Sequence, residues 1–155
     1  MITKTAVFPG SFDPLTIGHV DIVKRALPLF DKIIIAVGIN TQKKTLFALA
    51  QRKKWLKAVF GAYKKVEVSH YEGLTIKYCE QVGANYILRG IRSASDFEYE
   101  KTIAHLNHSM LPGVETILIL SRPELSSVSS TIVREIVVAH GDVSHFVPNE
   151  VAEDL

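Results

Sequence analysis

A chain of 155 residues with 47% apolar side chains is long enough to bury a core without disulfides or metal, and one compact domain over 1–155 is expected. Its 18 basic and 16 acidic side chains leave a formal net charge of +2, so no surface for nucleic acid is implied and any anion must be held locally. The single cysteine, Cys79, excludes an internal disulfide and fits a reducing cytosol.

The first residues, Met1 to Thr5, carry no apolar stretch of the signal-peptide kind. The longest apolar run, Ile33 to Ile39, is far short of the roughly 20 residues that cross a bilayer, so a cytoplasmic protein without membrane association is expected. Val7 and Phe8 end a first strand, and Pro9 and Gly10 turn the chain into a helix from about Gly18 to Leu27, with Val20, Val23 and Leu27 on one stripe. Lys32 to Gly38 is β-branched and apolar on both faces, the pattern of a central parallel strand covered by helices. A polar stretch with Lys43-Lys44 follows. Leu49 to Phe60 then reads as a helix with Leu49, Trp55, Leu56, Val59 and Phe60 inward, and its Arg52, Lys53, Lys54 and Lys57 as a solvated face.

Lys65 to Ser69 alternates as a third strand, and Leu74 to Val82 is a helix closed by Gly83. Asn85 to Arg89 is a fourth strand, stopped by Gly90. A capping box at Ser95 and Glu98 starts a helix running to about Ser109, with Tyr99, Ile103, Leu106 and Met110 as its apolar stripe. Glu115 to Leu120 is the fifth strand. Ser121 to Val128 is a serine-rich loop, and a helix from Ser130 to about His140 turns Ile132, Val133, Ile136 and Val137 inward. Asn149 is placed to cap one more short helix. Five strands alternating with helices predict a doubly wound, Rossmann-like α/β sheet with five parallel strands and right-handed crossovers.

In such sheets ligands sit beyond the carboxyl ends of the strands, where the strand order reverses. With the order 3-2-1-4-5 the reversal brings together Pro9 to His19 and Arg89 to Ser95. Gly10-Ser11 leads into a helix start whose free N–H groups suit an anion, and Ser11, Thr16 and the His19 imidazole are expected to face one phosphate. The plainer reading is a tight turn whose histidine caps the helix. Arg89 and Arg92 flank Gly90-Ile91 with two permanent charges fitted to phosphate, or pair instead with Asp96 or Glu100. One of Lys43 and Lys44 is expected to reach the site. Ser126 to Thr131, ending at a helix start, holds either a further phosphate or an ordinary N-cap.

His70, His105, His108, His140 and His145 lack partners at metal-ligand spacing, so no metal site is assigned to the protein. Neither a G-x-x-x-x-G-K-[ST] loop nor a G-x-G-x-x-G fingerprint occurs. Many phosphate donors without an evident nucleophile or base suit nucleotidyl transfer to an acceptor that is already an anion. A phosphate monoester, with a second pKa of about 6, is such an acceptor.

Gly10-Ser11-Phe12-Asp13-Pro14, Thr16-Ile17-Gly18-His19, Lys43-Lys44, Arg89-Gly90-Ile91-Arg92, Asp96-Phe97-Glu98-Tyr99-Glu100, Ser129-Ser130-Thr131 and Gly141-Asp142-Val143 together resemble the phosphopantetheine adenylyltransferase branch of the nucleotidyltransferase superfamily, in which Thr stands for the first His of H-x-G-H. The resemblance implies transfer of the adenylyl group of ATP to 4′-phosphopantetheine, giving dephospho-coenzyme A and pyrophosphate. It further implies Mg2+ carried mainly on the ATP phosphates, coenzyme A as a feedback inhibitor, and a homohexamer. By matching motif it gives catalysis to His19, Lys43 and Arg92, and ATP binding to Ser11, Phe12, His19, Gly90, Ile91, Arg92, Glu100, Leu125, Ser126, Ser127, Val128, Ser129, Ser130 and Thr131. Ser11, Lys43, Thr75 and Arg89 take the phosphopantetheine substrate. The alternatives are another nucleotidyltransferase of this fold, acting on nicotinate mononucleotide or a polyol phosphate, and a non-catalytic nucleotide sensor.

Overall fold

The computed structural model describes residues 2–155. Five strands, β1 (Thr5–Gly10), β2 (Lys32–Ile39), β3 (Val66–Glu72), β4 (Tyr86–Ile91) and β5 (Glu115–Leu120), form one parallel sheet in the expected order β3-β2-β1-β4-β5. The helices are α1 (Ile17–Ala26), α2 (Leu49–Phe60), α3 (Thr75–Val82), α4 (Ala94–Met110), α5 (Ser130–Val138) and α6 (Asn149–Ala152), with short 3-10 turns at Leu27–Leu29 and Pro123–Leu125.

The period-two alternation of a strand sends β2 to two cores at once. Ile33, Ile35 and Val37 join Phe8 of β1, Ile22 and Val23 of α1, and Trp55, Leu56 and Phe60 of α2. Ile34 and Ala36 join Val7, Ile87 and the Ile76 and Cys79 side chains of α3 on the opposite face. Burial pushes the Cys79 thiol up to about 11, so it is a small apolar core residue.

The strand ends differ from the sequence reading. β3 continues to Glu72, in register with β2 as far as the Ile39–Glu72 pair. β4 runs through Gly90 to Ile91, so Gly90 is a strand residue. A Cβ there would lie 3.1 Å from Ile22 Cγ1 and 3.3 Å from Ile22 Cδ1, so the glycine lets α1 approach the sheet. Gly90→Ala is expected to cost about 1–2 kcal/mol through overpacking, with Ile22→Val recovering part of it in thermal denaturation.

Three helix expectations are corrected. Ser93, not Ser95, caps α4, its side chain accepting the Asp96 N–H; S-x-x-acid occurs in both registers, and the earlier one forms. Pro148 occupies the cap position of α6, and Asn149 is its first helical residue. In α5, Val133 is buried and Ile136 and Val137 partly so, whereas Ile132 is exposed. The apolar stripe of α4 also stays out of the core: Tyr99, Leu106 and Met110 are all more than half exposed, and Glu100 is the only buried residue of the helix. α4 rides above the sheet with a cavity of about 200 Å³ beneath it, lined by Tyr99, Ile103, Ala104, Asn107 and, from the sheet side, Ile87 and Thr116.

Candidate active site

β1 and β4 are neighbours, but their chains leave the sheet toward α1 and α4, which opens a crevice at their carboxyl ends. The turn from β1 into α1 is fixed from several sides. Buried Asp13 accepts the Phe47 N–H at 2.8 Å on Oδ1 and the Leu46 N–H at 2.9 Å on Oδ2. Ser130 Oγ donates to the Pro14 carbonyl at 2.8 Å, and Arg134 Nη1 to the Asp13 carbonyl at 2.9 Å. Arg52 is buried as well, at 5% exposure, and donates to the Ser11 and Phe47 carbonyls. It is therefore no part of a solvated face. Leu49 three residues before it and Leu56 four after it share its side of α2, a periodicity that could have placed it inward.

Thr16 is the N-cap of α1 and His19 its third residue, and together they form a capping box. The Thr16 hydroxyl lies 3.1 Å from His19 Nδ1 and accepts the His19 N–H, so the capping box engages it, while Thr16 lines the same crevice as Ser11 and His19. The Thr16 backbone N–H donates to Nδ1 at 3.0 Å. A backbone N–H can only donate, so Nδ1 is the unprotonated nitrogen and Nε2 carries the hydrogen.

Desolvation within the cavity wall, then the charges of Arg89 and Arg92, hold the His19 pKa down at about 4. At neutral pH the ring is an uncharged Nε2–H donor. Two-dimensional 1H–15N spectra are expected to show His19 unprotonated down to about pH 5. The same shift raises stability with pH. An unfolded histidine takes up its proton near 6.5 and the folded one near 4, so the contribution is complete above about 6.5 and lost as pH falls toward 4. The stability difference between the wild type and His19→Gln should shrink over that window.

The two arginines are not equivalent. Arg89 makes a fork-to-fork pair with Glu100, Nε to Oε2 at 2.9 Å and Nη2 to Oε1 at 2.7 Å, and its Nη1 donates to the Pro9 carbonyl at 2.8 Å. Its guanidinium is held in place on three edges. Arg92 lies 3.4 Å from Asp96 Oδ2 and 3.4 Å from the Val128 carbonyl and is more exposed, so it is the looser of the two. Both pairings weighed from the sequence thus form, one tight and one slack.

These groups surround a cavity of about 440 Å³. Ser11, Phe12, His19, Lys43, Arg89, Gly90, Arg92, Glu100, Val128, Ser129, Ser130 and Thr131 line it, as do Asp96 and Arg134. Its four cationic side chains, Lys43, Arg89, Arg92 and Arg134, outnumber the two carboxylates, each of which already faces an arginine. Lys43 reaches the wall and Lys44 does not. Ile91, Leu125, Ser126 and Ser127 are also off the wall: Ile91 is buried, and Ser126 Oγ donates to the Pro123 carbonyl at 2.8 Å.

Thr75 belongs to the smaller cavity under α4, where its hydroxyl is 2.6 Å from the Tyr71 hydroxyl. Both cavities share Pro9, Gly10, Arg89 and Glu100, so they meet at the arginine. Asp13, Arg52, Tyr71 and Arg134 were missed as site residues by sequence reasoning. Asp13 stood inside the turn motif without a role, and Arg134 follows buried Val133 with no signal of its own. Among the described residues no three His, Cys, Asp or Glu side chains cluster to hold a metal ion.

A model of the cytidylyltransferase-like family matches residues 7–136. The chain is 51% identical over 148 residues to the phosphopantetheine adenylyltransferase of Flavobacterium psychrophilum, covering 96% of this chain and 97% of that one. With the enzyme of that description from Bacteroides thetaiotaomicron the figures are 48% over 145 residues, 94% and 95%. A Vibrio parahaemolyticus structure assigned as a nicotinate-nucleotide adenylyltransferase superposes with a TM-score of 0.76 at 18% identity, over 98% of this chain and 91% of that one, a likeness of fold alone. Relatedness along nearly the whole length, on a sheet of this order, means that the chain belongs to the phosphopantetheine adenylyltransferases within the cytidylyltransferase-like family.

Proposed function

We infer that the protein joins the adenylyl group of ATP to 4′-phosphopantetheine, releasing pyrophosphate and dephospho-coenzyme A, as a step of coenzyme A synthesis. The observation that carries the mechanism is the state of His19. With Nδ1 taken by the Thr16 N–H and a proton on Nε2, the ring is a donor and has no free lone pair to act as a base. The acceptor phosphate is already ionised, so it attacks without one. One of its oxygens bonds to the α-phosphorus, the bond from that phosphorus to the bridging oxygen breaks, and the electron pair leaves with pyrophosphate.

Catalysis on this reading is alignment plus stabilisation of charge. His19 Nε2–H donates to an α-phosphate oxygen, and Lys43 and the looser Arg92 follow the negative charge as it spreads. Arg89, held by Glu100 where the two cavities meet, takes the acceptor phosphate. The pantetheine arm lies under α4 beside Thr75, where the wall is less polar. Ser11, Phe12, Gly90 and Val128 to Thr131 receive the nucleotide, with Ile91 and Leu125 to Ser127 supporting that wall from behind.

Nucleotidyltransferases use metal-bound ATP in general, and here the metal is Mg2+. With both cavity carboxylates engaged by arginines, the residues present fit an ion that arrives on the phosphates rather than one caged by the protein. When bound it neutralises phosphate charge.

The protein works as a single-domain subunit in the cytoplasm, and no helix of the described residues is long and apolar enough to cross a membrane. It assembles as a homohexamer, a reading supported by the exposed Tyr99, Leu106 and Met110 of α4. Coenzyme A, which shares the pantetheine arm, competes for the site. The test is pyrophosphate release from Mg-ATP with three acceptors. Release with 4′-phosphopantetheine alone is expected. Release only with nicotinate mononucleotide or glycerol 3-phosphate would overturn the substrate, and no release with any of them would overturn the enzyme reading.

A further inference from the structure

One residue of the turn between β1 and α1 lies outside the ordinary backbone map. Phe12 has a φ of 47°, a region that a bulky residue occupies only when its surroundings force it there. Its buried ring supplies part of that force, standing edge-on to Phe8 and His19 at centroid distances of 5.5 and 5.0 Å. The rest comes from the peptide just before it. Arg52 Nη1 donates to the Ser11 carbonyl at 2.7 Å while its Nε donates to the Phe47 carbonyl at 3.0 Å.

The Ser11 C=O and the Phe12 N–H belong to one planar trans peptide and point in opposite directions. With the oxygen drawn toward Arg52, the N–H is turned the other way, and no acceptor among the described residues receives it. Ser11 and Phe12 both line the larger cavity. A buried cation thus grips one end of a peptide whose other end is an unpaired donor at the cavity wall.

We propose that Arg52 is a positioning residue for the reaction: its hold on the Ser11 carbonyl fixes the Ser11–Phe12 peptide so that the Phe12 N–H meets a phosphate of the nucleotide. The inference rests on the larger cavity being the ATP site. The second grip, on Phe47, has its own consequence. Asp13 holds the Leu46 and Phe47 amides, so Arg52 and Asp13 together lock the phosphate turn to the loop that carries Lys43. A planar fork reaches both carbonyls at once, which a lysine ammonium, a point charge on a flexible stem, does not reproduce.

The test compares wild type, Arg52→Lys and, as a surface control on the same helix, Lys53→Ala. Folding is followed by thermal denaturation, steady-state constants by pyrophosphate release, and the Phe12 amide by 1H–15N spectra on addition of Mg-ATP. In the wild type Mg-ATP should move the Phe12 amide proton downfield. In folded Arg52→Lys that shift should vanish and the KM for ATP should rise about tenfold, with the KM for 4′-phosphopantetheine within about twofold. Lys53→Ala should match the wild type.

A folded Arg52→Lys with the wild-type KM for ATP and the wild-type amide shift would overturn the proposal. So would a loss of rate that only tracks the folded fraction, since that marks a purely structural arginine. The wild-type spectrum stands even if the variant does not fold: Mg-ATP shifting the other cavity amides but leaving Phe12 unmoved would refute the proposal. No Mg-ATP response anywhere in the cavity would overturn the ATP reading and this inference with it.

Discussion

Replacing His19 by alanine should lower turnover by about two or more orders of magnitude while the protein stays folded. The large effect follows from the tautomer. The Thr16 N–H occupies Nδ1, so the one hydrogen the ring can offer is on Nε2, at the wall of the larger cavity. On the proposed mechanism, alanine deletes the donor that meets the charge growing in the transition state and leaves nothing to replace it. The structural loss is small: the capping box loses its side-chain half, about 1 kcal/mol, or a melting temperature lower by about 2–4 °C. Pyrophosphate release set beside a melting curve separates the two effects. A variant that turns over at the wild-type rate would remove His19 from the chemistry.

Arg89→Met should be the most destabilising of the site substitutions. Glu100 is 7% exposed and both of its oxygens accept from Arg89, so losing the arginine strands a buried carboxylate. Breaking a buried pair from one side costs about 3–5 kcal/mol, and the partial exposure of Arg89 puts this case near the lower figure. Adding Glu100→Leu to Arg89→Met should recover most of that loss, because a neutral side chain needs no partner. Activity should not return with it. The double variant should melt near the wild type yet bind 4′-phosphopantetheine far more weakly, which separates holding the site together from gripping the substrate. Equal melting of the single and double variants would mean that the pair is not what holds this part of α4 to β4.

Particular residues show why some of this was legible in sequence and some was not. The apolar run Ile33 to Val37 could only be a strand covered on both faces, and Gly10 to His19 could only be a strand-to-helix turn, so the sheet and its crevice followed. The end of β3 was hidden because it is an edge strand: His70 to Glu72 pair with β2 on one side and need no apolar character on the other. Gly90 looked like a stop because the reason for it, the side chain of Ile22, is 68 positions away in sequence.

The stripe of α4 shows a different limit. Periodicity tells which residues share a face, not whether that face meets a core, a cavity or solvent. Arg89 and Arg92 read alike from spacing, yet one is locked by Glu100 and the other held slackly by Asp96, a distinction made only when α4 settles over β4. Arg52 was the costliest misreading. It sits among three lysines, and only its phase with Leu49 and Leu56 separates it from them.

The buried Cys79 has a practical consequence. With no exposure and a thiol that ionises only near pH 11, the chain's one sulfhydryl is silent toward alkylating and fluorogenic reagents under native conditions. The unaltered sequence is therefore already a background-free scaffold for labelling. A single cysteine introduced at exposed Lys44, next to Lys43 but off the cavity wall, would carry the only reporter dye in the molecule and follow the Lys43 loop in real time as nucleotide arrives.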